Sequence, residues 1–150
     1  MATAYTAVTA VHLLVGAVWA GSVLFFTYSL LPLGRTGDIG VGTLEAATGK
    51  LTTVSRASAV LQLLTGGYMA SPMGVGAAGY WSTTDGYLVV AMVVLWLLLA
   101  ALTEMAGSRL RDGLDVDKVR EPAANAASYL YAASVVAVLL LLDAGALAAI

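Results

Sequence analysis

Read by hydrophobic and polar positions, the chain alternates long uncharged runs with short polar ones. The first run covers residues 4–31 and ends at Pro32-Leu33-Gly34, a combination that stops a helix. A glycine-rich polar connection from Gly34 to Gly49 follows, carrying Arg35, Asp38 and Glu45. The second run, 51–70, holds Arg56 and Gln62 and closes at Ser71-Pro72. Small and turn-forming residues dominate Ser71 to Gly86, where Tyr80-Trp81 suits a headgroup-level aromatic belt. The third run, 87–105, is the most apolar and reaches Glu104; a charged turn then leads to the fourth, 123–148. About 20 residues at 1.5 Å each cross the hydrocarbon core. The pattern therefore predicts an all-α, four-helix transmembrane bundle with up-down-up-down topology. It forms one integral membrane domain over 1–150.

Composition sharpens this reading. Hydrophobic residues make up 60% of the chain and charged ones 11%, against roughly 25% charged in a soluble domain. The absence of cysteine excludes disulfides, thiolate metal sites and cysteine nucleophiles. A net charge of −2 gives no reason to expect nucleic acid as a partner. The opening residues MATAYTAVTA lack a basic n-region, so the first helix is expected to stay uncleaved.

The charges also orient the chain. Arg35, Lys50 and Arg56 belong to the first connection or the helix start beside it. Arg109, Arg111, Lys118 and Arg120 belong to the third. By the positive-inside rule, 34–50 and 106–122 are cytoplasmic, while 71–86 and both termini lie outside a plasma membrane. Small residues at Gly16/Ala20, Ala17/Gly21 and Ala133/Ala137 mark places where helices can approach closely, within one chain or between two copies.

Polar residues inside the runs are the candidate chemistry. His12, the only histidine, lies roughly 8 residues or about 12 Å below the outer end of the first helix. Asp143, Met69 and Met73 belong to the same outer half. Imidazole and thioether suit copper, with Asp143 as a helper ligand or as the group that orients the ring. His12 alternatively serves as an axial ligand of haem b, with Trp19 and Phe25 lining the macrocycle and Arg56 meeting a propionate. In a third reading His12 is purely structural, and the chain is a cofactor-free subunit of a larger membrane complex. In the inner half, Arg56 either pairs with Glu104 or snorkels to the headgroups. No catalytic triad or phosphate-binding loop is legible, so no catalytic residue is expected.

The segment HLLVGAVWAGSVLFF, His12 to Phe26, resembles the first helix of CopD-type copper resistance membrane domains. In that family a histidine stands seven residues before a tryptophan, followed by a glycine and an apolar aromatic run; His12, Trp19, Gly21 and Phe25-Phe26 fit. Arg56, Ser58, Thr65 and Gly66 are similar to the family's second helix, and Gly86-Tyr87 is a fainter match in the third. Met92 stands near the place of a lysine often found there. The His-to-Trp spacing is also similar to HemJ-type four-helix membrane proteins. The first resemblance implies copper binding or transport at the membrane; the second implies a connection with haem.

Overall fold

The computed structural model describes residues 2–149, and among these there is helix and no strand. Helix α1 is Ala2–Phe25, followed by a π-helical turn Phe26–Leu30 and a short helix α2, Leu31–Thr36. Helices α3 (Val41–Ala70), α4 (Thr84–Leu114) and α5 (Arg120–Ala148) complete the chain.

Three stretches are long and apolar enough to cross a membrane: Thr3–Thr36, Thr84–Leu114 and Arg120–Ala148. Helix α3 has the length, 30 residues, but its four glycines, Glu45, Lys50, Arg56, Gln62 and a series of Ser and Thr dilute its apolar character. One series of its uncharged polar side chains faces inward, while Glu45, Lys50 and Arg56 are exposed. Thr48, Thr52, Ser55, Ser58 and Gln62 are buried, while Val60, Leu61, Leu63 and Leu64 are exposed. This reverses the pattern of a helix on a water-soluble protein.

Each long helix packs on two others, so that α1, α3, α4 and α5 close a ring. Neighbours run antiparallel: His12 meets Thr65, Trp96 meets Ala59, Gly113 meets Pro122, and Thr27 reaches Leu130. The core is made of Trp19, Val23 and Phe26 on α1 and the π-turn, Leu99 and Leu110 on α4, and an alanine-rich stripe on α5. Gly16, Ala20, Ala133 and Ala137 are buried within this single chain, while Ala17 and Gly21 stay on its surface. Buried Thr27, Thr48, Thr103 and Ser134 donate to the carbonyls of Val23, Leu44, Leu99 and Leu130 in their own helices. These hydroxyls therefore need no other partner.

Pro32 does not end the first helix, as its sequence context suggests. A proline ring strikes the carbonyl four residues back and offers no N–H. Here that carbonyl belongs to Tyr28, in the middle of the π-turn, where the N–H of Leu31 bonds Phe26 O. The wider turn absorbs the clash, and the rod runs on to Thr36. Gly37, at φ 81°, then caps it with its N–H on Leu33 O and Gly34 O. The expected polar connection of 34–50 shrinks to 37–40 because α3 begins at Val41, whose first turns bury Leu44 and Thr48 against the bundle. The charged segment 106–122 is likewise mostly helical, as α4 continues to Leu114 and α5 starts at Arg120. Ala106, Gly107 and Leu110 on α4, with Pro122, Ala123 and Ala126 on α5, have apolar neighbours to bury against there.

The connection between α3 and α4 is anchored by Tyr80. Its ring is buried and stacks edge-on against Trp81 at 5.3 Å, and Gly86 provides the room for its carbonyl.

Candidate functional site

The α1–α3 seam, in the half of the bundle that carries the start of α1 and the end of α3, assembles three successive rungs. Thr9 Oγ1 lies 3.9 Å from Met69 Sδ. One turn further along, His12 Nδ1 lies 2.6 Å from Thr65 Oγ1. One turn beyond that, the Gln62 amide crosses the seam and donates to the His12 carbonyl at 3.2 Å. Gly16 makes the last rung possible, since a Cβ there would stand 2.7 Å from Gln62 Nε2.

The hydrogens in this network follow from a count of donors. Thr65 carries one hydroxyl hydrogen, and Leu61 O accepts it at 2.6 Å. Toward His12 the Thr65 oxygen is therefore the acceptor, and Nδ1–H of the neutral imidazole is the donor. This leaves the lone pair on Nε2 uncommitted. The ring is half-buried and packs on the open face of Gly66, where a Cβ would be 3.4 Å from its Cε1.

Other polar atoms in this half and the middle of the bundle lack partners among the described residues. Trp19 Nε1, Gln62 Oε1 and Asp143 Oδ2 are buried without a hydrogen bond. An unpaired buried polar atom is costly, so these mark where the bundle holds unspent valence.

Met69 is thus brought to the His12 seam. Met73 follows it by one turn, because its N–H bonds Met69 O at 3.2 Å despite Pro72 between them. Asp143 Oδ2 has no hydrogen-bond partner among the described residues, the His12 ring included. The register set by Thr27 with Leu130 and Gly34 with Ala123 puts Asp143 level with Leu14. Spaced by sevens, however, Tyr129, Val136 and Asp143 share one flank of α5, opposite the flank where Tyr131 meets Tyr28 of α1. Among the described residues no group of three or more His, Asp or Glu is placed to hold a metal ion.

The residues read as a haem pocket do not line one cavity. Trp19 is fully buried at 0% exposure, whereas Phe25 is 63% exposed on the outside of the bundle. Phe25 also lies about 20 Å along the rod from His12. Arg56 is on the outer side of the α3–α4 seam, where its Nε donates to Glu104 Oε2 at 3.0 Å and its Nη2 to Glu104 Oε1. Arg111 Nη2 joins the same carboxylate at 3.4 Å. Between pairing and snorkelling, the structure forms the pair.

Thr65 and Gln62 are the partners of His12 that residue-by-residue reading passed over. Their signal was available in the polar positions Thr48, Thr52, Ser55, Ser58, Gln62 and Thr65, which recur at helical spacing and so mark one face of α3.

Set against known proteins, the chain matches no family model, no curated protein and no solved structure, and nothing there joins it to the CopD-type or HemJ-type families.

Proposed function

We propose that this chain is a four-pass membrane protein that binds copper in the outer half of its α1–α3 seam. The ligands are His12 through Nε2 and the Met69 thioether. The carrying observation is the commitment of His12 Nδ1 to Thr65 Oγ1 at 2.6 Å. A histidine that ligates a metal characteristically donates its other ring N–H to a fixed acceptor, which sets the tautomer and ring orientation. Imidazole with thioether is a donor set that favours copper, Cu(I) in particular. Asp143 stays outside this ligand set, and Met73 is the next sulfur along.

The inward-facing Ser, Thr and Gln of α3, with leucines outside, support α3 as the fourth crossing. The basic residues then orient the bundle, with both termini and 71–86 outside and the 37–40 and 115–119 connections in the cytoplasm. The site opens to the outer face.

The test is metal analysis of the detergent-purified protein, with absorption spectra taken air-oxidised and after dithionite. The expected result is copper stoichiometric with the chain and no Soret band. Loss of that copper in His12→Ala, with helicity unchanged, is expected as well. Copper-free wild type, or full copper in His12→Ala, overturns the reading; a Soret band lost in His12→Ala would assign the ring to haem instead. Because the chain lacks cysteine, single cysteines at Asp38 and Gly76 test the topology. The first should react only from the cytoplasmic side and the second only from outside.

A further inference from the structure

The inner half of the bundle holds a groove that the copper reading does not use. It lies between α1 and α3, encloses about 250 Å³, and is lined by Ser22, Phe25, Phe26, Leu30, Ala47, Lys50, Leu51 and Val54. Its origin is local. Below the π-turn the rod packs through α2 on α5, so α3 is left with an open flank beside Phe26 and Leu30.

The chemistry of the lining is restrictive. Six of the eight residues are apolar. Ser22 donates its hydroxyl hydrogen to Val18 O at 2.7 Å and so has no donor left for an anion. Lys50 is exposed and has no carboxylate partner among the described residues. Lys50 is part of the lining, and long basic side chains at membrane interfaces lay the stem along apolar surface and carry the ammonium toward the headgroups. The complementary ligand is one narrow apolar chain that carries an anion. A helix, at about 10 Å across, is too wide for this volume.

We infer that this groove seats one acyl chain of an anionic phospholipid, with the phosphate held by Lys50. The lipid comes from the cytoplasmic leaflet. Anionic lipids are concentrated there, and basic positions between membrane helices on that side hold their headgroups. The leaflet assignment rests on the topology proposed above; the seat itself is independent of the copper site.

The test uses copper-free protein in nanodiscs of phosphatidylcholine with a minor fraction of phosphatidylglycerol, read as lipid retained after detergent extraction by native mass spectrometry. Both leaflets of a nanodisc carry the same lipids, so the result does not depend on which way the bundle faces. Wild type should retain one phosphatidylglycerol per chain, enriched about fivefold over its share of the disc, the worth of one lysine near an anionic surface. Lys50→Gln should remove the enrichment, and Lys50→Arg should keep it. Val54→Trp, which fills the groove, should lose the bound lipid with helicity unchanged. Arg35→Gln, at the end of the rod and outside the groove, should behave as wild type. Enrichment that survives Lys50→Gln overturns the proposal. So does equal loss in Lys50→Gln and Arg35→Gln, because that pattern is diffuse surface charge rather than a seat.

Discussion

The two halves of the bundle treat polar groups in opposite ways. In the half that holds the α4–α5 turn, Glu104 takes both Arg56 and Arg111, Lys50 alone in the groove lining is left without a carboxylate among the described residues, and the buried hydroxyls of Thr27, Thr48, Thr103 and Ser134 are spent on their own helices. Close approach does the rest, with Gly107 against Thr52 and Gly113 against Pro122. In the half that carries His12 and in the middle, His12 keeps a free Nε2 while Trp19 Nε1, Gln62 Oε1 and Asp143 Oδ2 have no partner among the described residues. Satisfied polar groups hold a fold together; unsatisfied ones are where a ligand can still be gained. The contrast leaves open donor and acceptor atoms in the half that carries His12 and largely spent ones in the other, where the Lys50 groove is the exception.

The contrast can be broken most directly at its two poles. His12→Ala should remove bound copper entirely while leaving the melting temperature within a few degrees of wild type, as metal analysis and thermal unfolding followed by circular dichroism will show. Gly107→Leu should do the reverse. A Cβ there would stand 2.5 Å from Thr52 Cγ2, and overpacking of this kind costs about 3 kcal/mol. The expected outcome is a clear loss of thermal stability with copper affinity nearly unchanged in the folded fraction. If the two variants exchange these phenotypes, the division of labour is wrong.

A finer test concerns the orientation of the ring. Thr65→Ala deletes the acceptor for Nδ1–H and leaves every proposed ligand in place. Loss of such an outer-shell partner typically lowers metal affinity about 10- to 100-fold. Thr65→Ser keeps the hydroxyl and should restore most of it, measured by competition with a chelator of known affinity. A ring with a purely structural role would show the same destabilisation without the affinity change.

Much of the architecture was legible because it depends on sums over many residues. Four apolar runs, basic residues confined to alternate connections and a shortage of charge do not hinge on any one contact. Helix ends were less legible, since Pro32 and the charged turns read as breaks. What kept the chain helical there was tertiary: a π-turn around the proline ring, and burial of Leu44, Leu110 and Ala123. At the site, His12 and Met69 stood out by type, whereas Thr65 and Gln62 are common residues in an apolar helix. Only the α1–α3 register distinguishes them. Asp143 shows the converse. Its depth agreed with that of His12, but depth says nothing about azimuth, and its flank of α5 turns from α1.

The smallest expected effect lies outside both halves, in the α3–α4 connection, and it tests the same principle on a group with no proposed ligand. The Tyr80 hydroxyl is buried without a hydrogen bond, and burial, then the nearby Asp85 carboxylate, push its pKa above the ordinary tyrosine value of 10.0. The unfolded chain therefore loses this proton at lower pH than the folded one. Near pH 7 both states keep it, and Tyr80→Phe removes only an unpaired polar atom, so the variant should be neutral or more stable by about 1 kcal/mol. As pH rises through 10, the unfolded wild type binds fewer protons than the folded, and wild-type stability falls. The phenylalanine variant escapes that contribution, so its advantage should widen between pH 9 and 11, in unfolding measured at matched temperatures. A variant less stable than wild type at pH 7 would mean that this hydroxyl has a partner, a bound water or headgroup, and that an unpaired polar atom in this protein does not always mark open valence.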